Sequence, residues 1–235
     1  MASRVEFFFD CSSPWTYLAF HRIQLLAHEL HFKIDWKPFL VGGVFNTVND
    51  SIYKFRANPI PAKVNYLAKD LEDWSRYTGL KILWQPSVFP VNSVRAMRGC
   101  LVAGEHGLLP EFSRLVFESY WRDDLDIYQF RHLRKIAENT GLEPDGFLRQ
   151  IESPSIKNQL KKNTEELIER GGFGTPTMFV NGNDMYFGND RIPLIRELIE
   201  LGLFEYYAGH HLSFSQSFFL AHINGLFGGH FFRLP

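Results

Sequence analysis

Three short segments of this 235-residue chain carry residue types that could do chemistry, and each stands where a strand meets a helix or a turn. The first is FFFDCSSPWTYLAF, residues 7–20. Ser13 precedes Pro14 at the end of an apolar strand and the start of a helical pattern. Read plainly, Ser13 is an N-cap. Read for function, the first-turn amides and the helix dipole make an anion site there. A hydroxyl in that place can donate a hydrogen bond to an oxyanion or thiolate and lower its pKa. Cys11, in the same loop, reads as a buried thiol because the strand before it ends in the apolar run Phe7–Phe9. The second segment is GGFGTPTMFV, residues 171–180. Pro176 suits the first position of a strand, where a missing N–H costs no ladder bond. A cis bond there would leave the backbone of Thr175 as a free edge for an extended peptide. The third is MYFGNDRIPLI, residues 185–195. Asn189 and Asp190 either cap the following helix or hold the ammonium and carboxylate of an amino-acid-like ligand.

The elements that must position these residues follow from periodicity. Val5 to Phe9 is a short apolar strand. Pro14 opens a helix through Tyr17, Leu18, Phe20, Ile23, Leu26 and Leu30. Phe32, Ile34 and Trp36 alternate with charged residues, as in a half-buried strand. A strand–helix–strand unit this short favours parallel pairing. The middle is helical, with segments from Pro61 to Gly79, about Asn92 to Glu105, Glu111 to Trp121, Gln129 to Asn139, and onward from Ser153-Pro154. Thr177 to Val180 and Asp184 to Phe187 flank Asn181-Gly182 as a hairpin. A final helix runs from about Arg191 to Leu201. The order is that of a thioredoxin, with a helical block inserted in the middle.

Composition narrows the function. The chain is 45% hydrophobic and 22% charged, which excludes disorder and fibrous repeats. A net charge of −1 provides no field for nucleic acid. No apolar run reaches the ~18 residues of a membrane span. The start reads as a strand rather than a signal peptide, so a cytoplasmic location is expected. Two cysteines are too few for a disulfide framework or a closed zinc site, and no metal is expected.

The chain resembles the kappa-class glutathione transferases and the 2-hydroxychromene-2-carboxylate isomerases, within the DsbA-like thioredoxin superfamily. The blocks FFFDCSSPWTYLAF, KPFLVGGVF, NPIPAKVNYLAKDLEDW, FPVNSVRAMR, IKNQLKKNTEE, FGTPTMFV and FGNDR occur in the family's order, from Val5 to about Leu203. The resemblance implies an α/β, thioredoxin-like fold with an inserted all-helical domain. Its expected parts are a discontinuous thioredoxin-like domain, residues 1–45 and 168–204, a helical insert, 46–167, and a Phe-rich extension, 205–235. It implies glutathione as the cofactor, with Ser13 on its sulfur, the backbone of Thr175 beside Pro176 on its cysteinyl part, Asn189 and Asp190 on its γ-glutamyl end, and Asn58 and Lys63 on its glycyl end. Where oxidoreductases of the superfamily read Cys-Pro-x-Cys, this chain has Ser13, Pro14, Trp15 and Thr16. Disulfide exchange needs a thiolate nucleophile, so a dithiol oxidoreductase is not expected, and the resemblance implies instead that bound glutathione brings the sulfur. The expected partners are a small aromatic or electrophilic substrate and a second copy in a homodimer, with no nucleic acid and no membrane. Phe45, Tyr53, Trp84 and Phe89 are candidates for a hydrophobic substrate pocket, and all four equally suit a core. The expected activity is isomerisation of an unsaturated keto acid through a glutathione thiolate. Conjugation by a kappa-class transferase is the alternative. A non-catalytic binding module is a second alternative.

The family pattern does not account for the tail. Residues 205–235 hold six Phe (214, 218, 219, 227, 231, 232), too many for a solvated peptide. Ser213-x-x-Gln216 has capping-box spacing and Gly228-Gly229 would end the helix. With Arg233 as the tail's one Lys or Arg, attraction to anionic lipid is weak. Truncation after Leu203 is expected to change oligomeric state or solubility and to spare glutathione binding. An unchanged sedimentation profile with unchanged stability would show that the tail does no structural work.

Overall fold

The computed structural model describes residues 4–201. Strand β1 (Arg4–Phe9) is followed by α1 (Pro14–Leu30) and β2 (Lys33–Pro38). Seven helices come next: α2 (Val41–Thr47), α3 (Ser51–Ala57), α4 (Pro61–Thr78), α5 (Val94–Glu105), α6 (Leu109–Trp121), α7 (Phe130–Thr140) and α8 (Pro144–Gln150). Helix α9 (Pro154–Glu169) then leads to β3 (Thr177–Val180) and β4 (Asp184–Phe187). A single 3-10 turn, Asn189–Arg191, runs into α10 (Ile192–Glu200). The sheet order is β2-β1-β3-β4, with β1 parallel to β2 and antiparallel to β3.

The three phenylalanines of β1 explain why it lies inside. Successive side chains on a strand point to opposite faces. Phe7 and Phe9 therefore share one face, where they pack with Phe20 of α1, Trp36 of β2 and Phe117 of α6. Phe20 lies 4.8 Å from Trp36 and 5.2 Å from Phe117 between ring centroids. Phe8 points the other way, into a cluster with Phe39, Val41, Val44, Leu167 and Phe179. A central strand buried on both faces reads as a continuous apolar run, as FFF does.

The local signals placed β1, α1, the hairpin and most long helices. Three expectations changed. Helices α2, α3 and α8 lie where no separate helix is expected from the sequence. Gly42 and Gly43 disfavour α2 intrinsically. Close packing overrides that cost, since a Cβ on Gly43 would come within 3.0 Å of Thr164 on α9. Helix α5 starts at Val94 rather than Asn92, because the Asn92 side chain accepts from the Val94 N–H at 3.1 Å and holds a turn. The last helix is preceded by the 3-10 turn, and neither Asn189 nor Asp190 caps it with its side chain. Among the described residues no helix is long and apolar enough to cross a membrane. The expected tail helix lies outside them.

The helices close tightly around Gly99 of α5. A Cβ there would stand 2.8 Å from the Phe112 ring and 2.9 Å from the Phe147 ring, both buried. Gly99→Ala is expected to destabilise the fold by about 1–3 kcal/mol through overpacking. The urea midpoint should fall at unchanged slope, and an unmoved midpoint would show that α6 and α8 can yield.

Candidate active site

The mouth of the sheet is built on the loop from Asp10 to Ser13. Ser13 takes extended backbone angles and caps α1, and its Oγ accepts from the Thr16 N–H at 3.3 Å. That bond uses a lone pair and leaves the hydroxyl proton free to donate. The capping reading and the functional reading therefore hold in the same geometry. Ser13 is half-buried, and Pro14 at the first helical position contributes no N–H of its own.

Asp10 fixes this loop from below. Its carboxylate is fully buried. Oδ1 accepts from the Ser12 N–H at 2.9 Å, and Oδ2 accepts from the Val41 N–H at 2.9 Å and the Ser93 hydroxyl at 3.0 Å. Burial pushes the Asp10 carboxyl above its ordinary range, and the three donors pull against that. The neighbouring carbonyl of Cys11 accepts from the indole Nε1 of Trp121 at 2.9 Å.

The second wall is the turn before β3. The Thr175–Pro176 peptide is cis. The Thr175 hydroxyl accepts from the Asp10 N–H at 3.2 Å and shares a hydrogen bond with the Thr16 hydroxyl at 2.9 Å. Among the described residues, the backbone N–H and C=O of Thr175 meet no other backbone group. The register Thr177↔Phe187 then brings the end of β4 alongside, and the Gly188 N–H donates to the Pro176 carbonyl at 3.1 Å. Gly188 sits at φ 107°, and a Cβ there would lie 2.6 Å from the Asp190 carboxylate. Glycine thus permits both the backbone and the fold of Asp190 over it. Asn189 is buried, with its Oδ1 held at 2.7 Å by Arg22 of α1, whereas Asp190 is exposed and pairs with Arg191 at 3.2 Å.

At one end of the sheet, hydrogen bonds join Ser13 to Thr175 through Thr16, and Pro176 to Gly188, the residue before Asn189 and Asp190. Asn58 and Lys63 are not joined to them. Asn58 ends α3, Lys63 lies in the first turn of α4, and both are exposed. Among the described residues no ion pair engages Lys63. The aromatic candidates fall into two pairs. Trp84 and Phe89 stand 5.2 Å apart, with Trp84 stacked at 6.4 Å on Trp121, the residue that bonds the Cys11 carbonyl. Phe45 and Tyr53 pack edge-on at 6.3 Å, with Phe45 against the Phe8–Phe179 cluster. Cys11 and Cys100 are both free and buried. Burial, aided by the Cys100 thiol, pushes the Cys11 thiol well up, so it stays protonated.

Four contributors escaped the sequence reading: Asp10, Thr16, Arg22 and Trp121. Asp10 carried one usable signal, a charged residue directly continuing the apolar run Phe7–Phe9, where burial is the default. Thr16 read as the missing second cysteine, and its hydroxyl is instead the link to Thr175. Arg22 and Trp121 act through partners 167 and 110 residues away, which no local pattern reveals.

A family model for the DSBA-like thioredoxin domain matches residues 4–200. The chain belongs to this DsbA-like thioredoxin family, and its fold is thioredoxin-like with helices set between β2 and β3. It is 30% identical over 206 residues to a 2-hydroxychromene-2-carboxylate isomerase of Pseudomonas sp. (strain C18), covering 83% of this chain and 89% of that protein. It is also 30% identical over 207 residues to glutathione S-transferase kappa 1 of Homo sapiens, covering 83% of this chain and 90% of that protein. A solved 2-hydroxychromene-2-carboxylate isomerase matches with a TM-score of 0.72 at 25% identity, over 88% of this chain and 100% of that one. These relatives are enzymes by name.

The hub at Asp10 makes a specific demand. Asn in its place must turn either an amide oxygen or an amide NH2 toward donors that all require an acceptor. Asp10→Asn is expected to cost about 1–3 kcal/mol and to speed amide exchange at Ser12 and Val41. Wild-type stability with wild-type protection at those two amides would show that another group holds the loop.

Proposed function

We propose that this chain is a glutathione-dependent isomerase of the 2-hydroxychromene-2-carboxylate isomerase type. One observation carries the reading. The helix mouth offers a hydroxyl hydrogen-bond donor and an electropositive helix end, yet both thiols of the chain are buried, and burial pushes the Cys11 thiol well up. A site built for a sulfur anion that owns no usable sulfur calls for a thiol cosubstrate. The donor set fits glutathione. Ser13 suits the sulfur, the unpaired Thr175 backbone beside Pro176 suits the cysteinyl amide groups, and Asn189 with Asp190 suits the amino-acid end. Asn58 and Lys63, on the helical insert of residues 46–167, are exposed and available to the glycyl carboxylate.

When bound, glutathione supplies a nucleophilic thiolate that adds to the unsaturated keto acid, frees rotation about the former double bond, and leaves again. Ser13 donates its hydroxyl proton as a hydrogen bond to the sulfur, and the first turn of α1 adds its dipole. Thr175 aligns the peptide through its backbone, with its own hydroxyl already committed to Asp10 and Thr16. Trp84 and Phe89 offer a flat apolar wall for an aromatic substrate. The match to the isomerase of known structure favours this activity over conjugation. We read the protein as a cytoplasmic homodimer. In support, α3 buries none of its residues, and α4 buries Leu71 alone while exposing Val64, Tyr66 and Tyr77.

Glutathione is expected to bind with quenching or enhancement of Trp15 fluorescence and with its thiol pKa lowered. A drop of two units corresponds to roughly 2.7 kcal/mol in favour of thiolate. Ser13→Ala should lose about 1 kcal/mol of stability and roughly ten- to a thousandfold in turnover. Ultraviolet titration of the bound thiol and mass analysis of the product check this. A product heavier than the substrate by one glutathione assigns the transferase reaction. A chain that binds no glutathione is a binding module, and normal turnover in Ser13→Ala leaves Ser13 a cap alone.

A further inference from the structure

Arg22 lies about two and a half turns along α1 from Ser13, and its guanidinium joins three elements. Its Nη1 donates to both the backbone carbonyl and the side-chain Oδ1 of Asn189, each at 2.7 Å. Its planar face lies over Trp74 of α4, 4.7 Å from the ring centroid, with Tyr77 at 5.8 Å. The stack and the double contact leave the guanidinium little freedom to turn.

Chemistry then decides which way the Asn189 amide points. A guanidinium has donors only. The amide atom that meets Arg22 must be the oxygen, so the nitrogen is the remaining hydrogen-bonding atom. Asn189 is buried as a residue, yet its free nitrogen is not cut off from the surface, so a ligand can reach it. Beside it, the Asp190 carboxylate is exposed and accepts. A donating amide next to an accepting carboxylate is the complement of one carboxylate and one ammonium on a shared carbon.

We propose that Arg22 is a positioning residue of the ligand site, which locks the Asn189 amide with its nitrogen as the free donor and thereby selects ligands that end in an α-amino acid. For glutathione that end is the γ-glutamyl group, so this inference rests on the reading proposed above. Arg22 touches no ligand itself. It acts through Asn189, and through Trp74 it ties the same turn to α4.

The experiment is a calorimetric titration of the full chain with glutathione and, separately, with cysteinylglycine, which lacks the γ-glutamyl group. Wild type, Arg22→Lys and Asn189→Asp are compared, with melting temperatures. Lysine keeps the charge but loses the fork and the stack. Asn189→Asp keeps the oxygen that Arg22 holds and replaces the donating nitrogen by a second oxygen. Arg22→Lys is expected to weaken glutathione about ten- to a hundredfold, the range for a lost charge-assisted hydrogen bond, with cysteinylglycine unchanged. Asn189→Asp should lose glutathione to at least the same extent while melting no lower than wild type, because its pair with Arg22 gains charge. A purely structural amide would give the opposite, a stabilised Asn189→Asp that binds glutathione normally, and that overturns the inference. Equal weakening of both ligands by Arg22→Lys also overturns it. Failure of the wild-type chain to bind glutathione defeats the glutathione reading itself and is separate from either result.

Discussion

The Asp10 carboxylate is removed from water at the C-terminal end of β1 and accepts from the Ser12 N–H, the Val41 N–H and the Ser93 hydroxyl. A buried charge is tolerated only when such donors replace its hydration. The three donors come from the loop before α1, the start of α2 and the approach to α5. Satisfying one group therefore fixes three chain segments at once. The Asp10 N–H adds a fourth by donating to Thr175. Two-sided aromatic packing around Phe7, Phe8 and Phe9 holds β1 and with it the position of the carboxylate. The geometry of the mouth is in this sense a solvation requirement of one side chain.

Around that hub, hydroxyls carry out tasks that differ by atom. The Ser13 oxygen caps α1 while its proton stays available. The Thr16 hydroxyl spends its bond on Thr175, which sets the distance between the helix end and the turn at Pro176. The thioredoxin frame thus keeps its two facing elements at the mouth and changes the atoms that join them. The chain's relatives include enzymes named as isomerases and as transferases at equal identity, so the frame alone does not select the reaction.

Legibility in the sequence followed the range of the interactions. Strand β1, the hairpin at Asn181-Gly182, and helices opened by Pro14, Pro61 and Pro154 depend on near neighbours, and local patterns placed them. Helix α2 depends on the approach of Gly43 to Thr164 and contradicts its own propensity. Asn189 shows the same division. From its neighbours it reads as a cap, but Arg22 claims its side chain from another helix. Ser13, Thr175 and Asp190 were visible because each stands at an element end, whereas Asp10 and Arg22 serve the mouth through partners that only the folded chain brings near. Asn58 and Lys63 rested on family resemblance, and the fold sets them on the exposed helices rather than on the hydrogen-bonded mouth.

The burial of both cysteines has a consequence for durability. Oxidants climb the ladder from sulfenic to sulfonic acid most readily on accessible thiolates. Cys11 and Cys100 offer peroxide neither exposure nor, in the case of Cys11, ionisation. Under the glutathione reading, the vulnerable sulfur belongs to a diffusible peptide present in exchangeable supply. An over-oxidised nucleophile then departs with its carrier, and the polypeptide meets the next molecule undamaged, with its Ser13 hydroxyl intact.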